Sequence, residues 1–279
     1  MQDMNKQASI FDLFPELREI QDDQLASCRC EKPTLMIAMT PRTGSTHLCA
    51  SLGRAADIDS PAELFNPRGV AQHEKKRRGV SLFSEYIKSV SEDRGRYLSF
   101  KISWLDFKPL VGMYKEIFPN IKIMYLNRLD IVAQAVSLVL ATSSGRWHES
   151  TDGGVIIGPG DNQSQPNFDL VRICDAITYL ENEKNNWEYF FFSEFMNPAR
   201  INYESFSDDV NTAIRFIQQH LELSFVREID PGTGFRKLSG KLNDDWIAKV
   251  NYHRSGHFYA DWKKREAVEH RKQESIALT

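Results

Sequence analysis

Thr34-Leu-Met-Ile-Ala-Met-Thr-Pro-Arg-Thr-Gly-Ser-Thr-His-Leu-Cys-Ala-Ser-Leu52 decides how this chain is read. Leu35 to Met39 is an unbroken apolar run of the kind buried on both faces of a parallel sheet. From Ser45 onward, Leu48 and Leu52 stand four apart, on one face of a helix. Pro41, Arg42, Thr43 and Gly44 lie between, so the stretch predicts a strand, a tight turn and a helix N-terminus. Such a junction suits anions. The first helical N–H groups have no internal partner, and the helix dipole favours negative charge there. Ser45 and Thr46 add hydroxyls, and Arg42 adds a planar, permanently charged fork.

A nucleoside-triphosphate loop would read G-x-x-x-x-G-K-[ST]. Here Ser45 occupies the Lys position and Met39 the leading Gly position, so a triphosphate is poorly served. A plain βα turn without a ligand fits the turn alone equally well, and the rest of the chain must decide.

With 279 residues, 41% of them hydrophobic, the chain can bury one large α/β core, and no Pro/Gly/Ser linker divides it. Residues 1–32 precede the first strand. Ile10, Phe11, Phe14, Leu17 and Ile20 follow a helical spacing interrupted by Pro15, which reads as a helical extension before a domain covering 33–279. A net charge of −3 and a pI near 6.2 give no reason to invoke nucleic acid. No apolar run reaches membrane-spanning length. The opening Met-Gln-Asp-Met-Asn lacks the basic and apolar parts of a leader, so the sequence reads as cytoplasmic. Cys28, Cys30, Cys49 and Cys174 form neither a disulfide framework nor a complete metal set, and no metal is expected.

Three further strands follow from the pattern. Tyr97–Trp104 reads as the second, with Lys101 either snorkelling out or pointing into a site. Ile121–Asp130 is the third, with Arg128 at its carboxyl end, where open α/β sheets bind ligands. A helix from Ile131 to Leu140 carries Ser137. Ala199–Phe206 is the fourth, followed by a helix to about Leu221. Phe107–Phe118 reads as a crossover helix with Pro109 near its start, 167–195 as a long helix, and Trp262–Arg271 as a charged helical tail. The run His73–Arg78 reads as a solvated face, and the Gly/Asp-rich stretch 149–165 as a loop. Between Pro61 and Pro67, Glu63 is flanked by Ala62, Leu64 and Phe65. A carboxylate among apolar groups tends to a raised pKa, which suits a general base. On context alone an exposed loop Glu is the favoured reading.

The pattern R-[ST]-G-[ST]-[ST] at Arg42–Thr46 resembles the 5′-phosphosulfate loop of sulfotransferases that use 3′-phosphoadenosine 5′-phosphosulfate (PAPS). Arg128–Ser137, R-L-D-I-V-A-Q-A-V-S, is similar to the R-P-D-x-V-x-Q-A-V-S of the bacterial trehalose 2-sulfotransferase type, which is related to lipopolysaccharide and nodulation-factor sulfotransferases. Leu129 alone departs from the fixed positions. Pro61–Phe65 matches that family's P-x-E-[FL]-F, Lys101–Trp104 its G-K-[LI]-x-W segment, and Tyr203-Glu204-Ser205-Phe206 a Y-E-[DS]-[LF] segment common in sulfotransferases.

The resemblance, from about Thr34 to about Trp246, implies a P-loop-like, mostly parallel sheet flanked by helices on both faces. It implies that Pro41, Arg42, Thr43, Gly44, Ser45 and Thr46 hold the 5′-phosphosulfate, and that Arg128 and Ser137 hold the 3′-phosphate. Tyr203 would lie near the adenine, and Arg236 and Lys237 in a late basic loop over the 3′-phosphate. Glu63 would be the base, with Lys101 stabilising charge during transfer. Trp104, Arg146 and Trp147 would face the acceptor. Ser60 replaces an acidic residue that helps hold sugar hydroxyls in the trehalose enzyme, so acceptor choice would differ there. The implied activity is sulfuryl transfer from PAPS to a hydroxyl of a carbohydrate or glycolipid, in a possible homodimer. Two other readings stay open, a kinase-like phosphoryl transferase and a non-catalytic nucleotide-binding protein.

Overall fold

The computed structural model describes residues 8–55, 58–150, 155–157, 166–221, 235–236 and 240–254. Two short helices, α1 (Ile10–Leu13) and α2 (Asp22–Ser27), lead into β1 (Thr34–Met39) and α3 (Ser45–Ala55). Helices α4 (Val70–Arg78) and α5 (Phe83–Glu92) precede β2 (Leu98–Ser103). Short helices α6 (Trp104–Phe107) and α7 (Tyr114–Ile117) then lead to β3 (Ile121–Asn127) and α8 (Ile131–Ser144). Next come β4 (Arg146–Ser150), β5 (Val155–Ile157) and α9 (Leu170–Ser193). The chain continues through β6 (Ala199–Asn202), α10 (Val210–Leu221), β7 (Phe235–Arg236) and α11 (Lys241–Arg254).

β2, β1, β3 and β6 form one sheet in that order, and every neighbouring pair is parallel. All six β1 residues are buried, as the apolar run requires of a central strand. Its side chains alternate between two cores. Met36 and Ala38 face the cluster built by α5, the end of α9 and the N-terminal segment. Leu35, Ile37 and Met39 face Leu48 and Leu52 of α3 and Ile214 and Ile217 of α10. Ile10, Phe14 and Leu17 of the N-terminal segment are buried in the first of these cores, and Pro15 opens a 3-10 turn where the helical spacing breaks. Burying that many large side chains, at about 1.5–3 kcal/mol each, ties the segment to the sheet.

Two expectations are corrected. Phe107–Phe118 is not a crossover helix but two single turns and a 3-10 turn, Lys108–Leu110. Pro109 lacks the N–H that a continuous helix would need, and Phe107, Tyr114 and Phe118 are drawn separately into the aromatic core. The stretch 149–165 is not wholly a loop. Arg146–Ser150 pairs antiparallel with Val155–Ile157 and with Phe235–Arg236, while 151–154 and 158–165 lie outside the described residues. The run His73–Arg78 keeps His73, Lys76 and Arg77 exposed, as a solvated face requires, while the Arg78 side chain turns inward and bonds Glu74, Ser89 and Asp93, fastening α4 to α5. The tail Trp262–Arg271 lies outside the described residues.

Candidate active site

Four strands end on the same edge of the sheet, and the candidate residues come from their carboxyl ends: Pro41–Thr46 after β1, Ser103 and Trp104 at β2, Arg128 after β3, Tyr203 after β6. The first loop is unusual in its backbone. Arg42 (φ 67°) and Gly44 (φ 75°) both adopt the left-handed conformation, uncommon for an arginine and associated with N–H groups turned into an anion-binding concavity. Thr43, fully buried, donates its hydroxyl to the Thr40 carbonyl at 3.0 Å. From α8, Gln134 donates Nε2 to Thr40 Oγ1 (2.8 Å) and to the Pro41 carbonyl (2.6 Å). Gln134 lies one turn before Ser137 on the same helix face, which is the signal in the sequence that it reaches the loop.

Gly44 is required twice over. A Cβ there would sit 2.5 Å from Tyr203 Cδ2, besides demanding a positive φ. Gly79, the αL cap of α4, has φ 66° but open space around it. Gly79→Ala is therefore expected to cost about 1 kcal/mol. Gly44→Ala, which adds the clash, should cost about 2–4 kcal/mol. Urea melts of both variants check this, and equal losses would remove the contact with Tyr203 from the account.

The loop divides its groups between two places. On one side, the Arg42 side chain does not turn toward the helix N-terminus, as its place in the motif suggested. It donates Nε to Ser137 Oγ (3.0 Å) and Nη1 to the Trp147 carbonyl (2.7 Å). Arg128 donates Nη1 to the Arg42 carbonyl (3.1 Å), and its guanidinium lies 4.7 Å over the Tyr203 ring. Arg42, Arg128 and Ser137 thus meet. Burial, with the Arg128 charge adding to it, pushes the Arg42 guanidinium down to about 10. Neither arginine forms a salt bridge among the described residues, and the buried Arg128 Nε has no partner among them. Two neighbouring, half-buried like charges without a salt bridge among the described residues suit an anion.

On the other side, Lys101 is 7% exposed on β2 and donates Nζ to Thr46 Oγ1 at 2.8 Å. The same ammonium lies 3.2 Å from Glu63 Oε1, and Asn66 donates Nδ2 to Glu63 Oε2 at 2.9 Å. Glu63 reaches this point because its segment runs beside β2. Ala62 bridges Phe100 in parallel, and the Lys101 N–H donates to the Ala62 carbonyl at 3.0 Å. Leu64 and Phe65 are wholly buried, with Phe65 packed on Phe100 and Phe118. The apolar neighbours therefore anchor the segment, and do not enclose the carboxylate, whose side chain is 30% exposed. Asn66 is a residue the sequence reading passed over. Below the pair, burial pushes the Cys49 thiol up to about 12, so it is no nucleophile at neutral pH.

Of the remaining candidates, Trp147 and Tyr203 adjoin Arg42 and Arg128, and Ser60 and Trp104 are placed by other contacts. Ser60 is exposed, its carbonyl accepts from Arg94 Nη1 at 3.3 Å, and its backbone abuts Gly53. Trp104 is half-buried and packs edge-on against Trp187, 5.3 Å between ring centroids, within the aromatic core. Trp147 brings its carbonyl to Arg42. The Tyr203 ring packs on Gly44 and Arg128. The side chains of Arg146 and Arg236, and all of Lys237, lie outside the described residues.

Beside Trp104 lie two carboxyls, Glu183 buried and Asp106 half-buried. Glu183 accepts from the Trp104 N–H at 3.1 Å, and burial, with Asp106 nearby, pushes it up to about 7. Asp106, bonded to Ser103 Oγ at 2.8 Å, is pushed up by burial to about 6. Both folded-state values lie above the unfolded ones, so the folded state holds extra protons between about pH 4 and pH 7. The stability they confer is present below that window and is lost as pH rises through it. Glu183→Gln keeps an oxygen for Trp104 and removes the ionisation, so it should spare about 3 kcal/mol of the loss between pH 5 and pH 8. Urea melts at the two pH values test this, and an unchanged pH slope would contradict it.

Among the described residues, no helix is long and apolar enough to cross a membrane, and no three His, Cys, Asp or Glu side chains form a metal-binding group. The family model described as Stf0 sulphotransferase matches residues 110–254, just over half of the chain. That span includes Arg128, Ser137 and Tyr203, while the phosphate loop and Glu63 precede it. No curated protein matches the chain. Among solved structures, one titled "Sulfotransferase Domain from the Curacin Biosynthetic Pathway" is 16% identical, covering 77% of this chain and 82% of its own, with a TM-score of 0.45.

Proposed function

Because this chain belongs to the Stf0 sulphotransferase family, we propose that it moves a sulfuryl group from PAPS to a hydroxyl of a carbohydrate or glycolipid acceptor. One observation carries the donor's identity: Arg42 and Arg128, half-buried and without a salt bridge among the described residues, meet at the phosphate loop, where Arg42 bonds Ser137 and Arg128 bonds the Arg42 carbonyl. A 3′-phosphate supplies the missing counterion, and its dianion matches two forked guanidinium groups. The left-handed backbone at Arg42 and Gly44, the start of α3, Thr46 and Lys101 would hold the 5′-phosphosulfate.

Glu63 takes the proton of the acceptor hydroxyl. The acceptor oxygen then bonds to sulfur, and the bond from sulfur to the phosphate oxygen breaks, its electron pair leaving with adenosine 3′,5′-bisphosphate. Lys101, which touches both Thr46 and Glu63, offsets the charge that develops on the departing phosphate. Asn66 and Lys101 hold the two carboxylate oxygens in place. The acceptor class rests on the likeness of Pro61–Phe65 to carbohydrate sulfotransferases.

The test is transfer of label from sulfur-labelled PAPS to a panel of saccharides and glycolipids without added magnesium. Label in an acceptor, suppressed by excess adenosine 3′,5′-bisphosphate, is the expected result. Transfer of label from the γ-phosphate of ATP in its place would make the protein a phosphoryl transferase.

A further inference from the structure

The turn that carries Arg128 is gripped from two other elements. Glu204, in the 3-10 turn after β6, accepts the N–H of Leu129 on both carboxylate oxygens at 3.1 Å, and the N–H of Asp130 on Oε1 at 3.1 Å. From α9, Lys184 donates Nζ to the Arg128 carbonyl at 2.6 Å. Tyr203, the preceding residue, lies under the Arg128 guanidinium and against Gly44. One dipeptide, Tyr203-Glu204, therefore fixes both ends of Arg128, its head by the ring and its backbone by the carboxylate. The Leu129 side chain is 63% exposed and plays no part; the contribution of this position is its N–H.

We infer that Glu204 is a positioning residue that sets selectivity for the 3′-phosphate by holding the Arg128 turn in register with the phosphate loop. The inference rests on the proposed function, since it takes the anion at Arg128 to be that phosphate. The Glu204 carboxylate is engaged with the backbone N–H groups of the turn, and its negative charge would repel a phosphate. Its effect must pass through Arg128. Two consequences follow. Loss of the carboxylate should weaken only the part of binding that the 3′-phosphate supplies, and should do nothing further once Arg128 is gone.

Calorimetric titration of the intact 279-residue chain with adenosine 3′,5′-bisphosphate and with ADP tests this. Glu204→Ala should weaken the bisphosphate by about tenfold and ADP by less than about twofold. In an Arg128→Ala background the same change should leave both affinities within about twofold. Glu204→Gln, which keeps an oxygen for the two N–H groups, should recover most of the loss. Should Glu204→Ala fail to fold, the Gln variant carries the test, with selectivity retained as the expected result. Equal weakening of both ligands, an undiminished loss in the Arg128→Ala background, or a Gln variant as poor as Ala would overturn the inference. No preference for the bisphosphate in the unaltered protein would overturn the donor assignment itself, and that result appears before any variant is made.

Discussion

Glu63→Gln should lower turnover by roughly 10²–10⁴-fold and leave the affinity for adenosine 3′,5′-bisphosphate within about twofold. The size follows from the loss of a positioned proton acceptor. The selectivity follows from where Glu63 sits. Its carboxylate touches Lys101 and Asn66 beside β2, whereas Arg42 and Arg128, assigned to the 3′-phosphate, bond Ser137 and the Arg42 carbonyl. Gln keeps one oxygen for Lys101 and gives up the acceptor facing Asn66 Nδ2, so folding should survive with a small change in melting temperature. Steady-state kinetics with a saturating acceptor, paired with calorimetry, separates the two effects. A variant retaining more than about a tenth of the activity would remove Glu63 as base.

Arg128→Ala should cost roughly 100-fold in affinity for adenosine 3′,5′-bisphosphate, the scale of a lost pair of charge-assisted hydrogen bonds, while ADP binding changes little. Two contacts and one open donor make the guanidinium hard to replace. Its Nη1 holds the Arg42 carbonyl, its plane lies on Tyr203, and its buried Nε has no partner among the described residues. Lysine offers a point charge without the fork, so Arg128→Lys should recover little of the loss. That variant separates geometry from charge: full recovery with Lys would mean that charge alone sets the preference. Because Arg128 also steadies the loop, the melting temperature must be followed alongside.

Much of this was legible in the residues, for identifiable reasons. The run Leu35–Met39 can be satisfied only by burial on both faces, and the structure makes it one of the sheet's two inner strands. Arg128 and Ser137 were readable because a strand end and the next helix face fix their neighbourhood, and the structure brings both to Arg42. Lys101 and Glu63 were readable separately; their meeting was not, since it depends on the segment 61–63 running beside β2, a pairing between distant stretches. The direction of the Arg42 side chain was also hidden. It turns on a positive φ that no residue other than glycine advertises in sequence. Tyr203 was read for its ring's affinity for a base, whereas a residue without a side chain, Gly44, gives that ring its neighbour. Leu129 looked like a defect in its motif. The structure gives the position a use that a proline could not have, because its N–H is donated to Glu204.

The central claim is that Arg42, Arg128 and Ser137 form a 3′-phosphate site. It is tested most directly by calorimetric binding of adenosine 3′,5′-bisphosphate against ADP to the unaltered protein, without magnesium. The account predicts a preference for the bisphosphate of about 100-fold. Equal affinities, or binding of neither ligand, would contradict it.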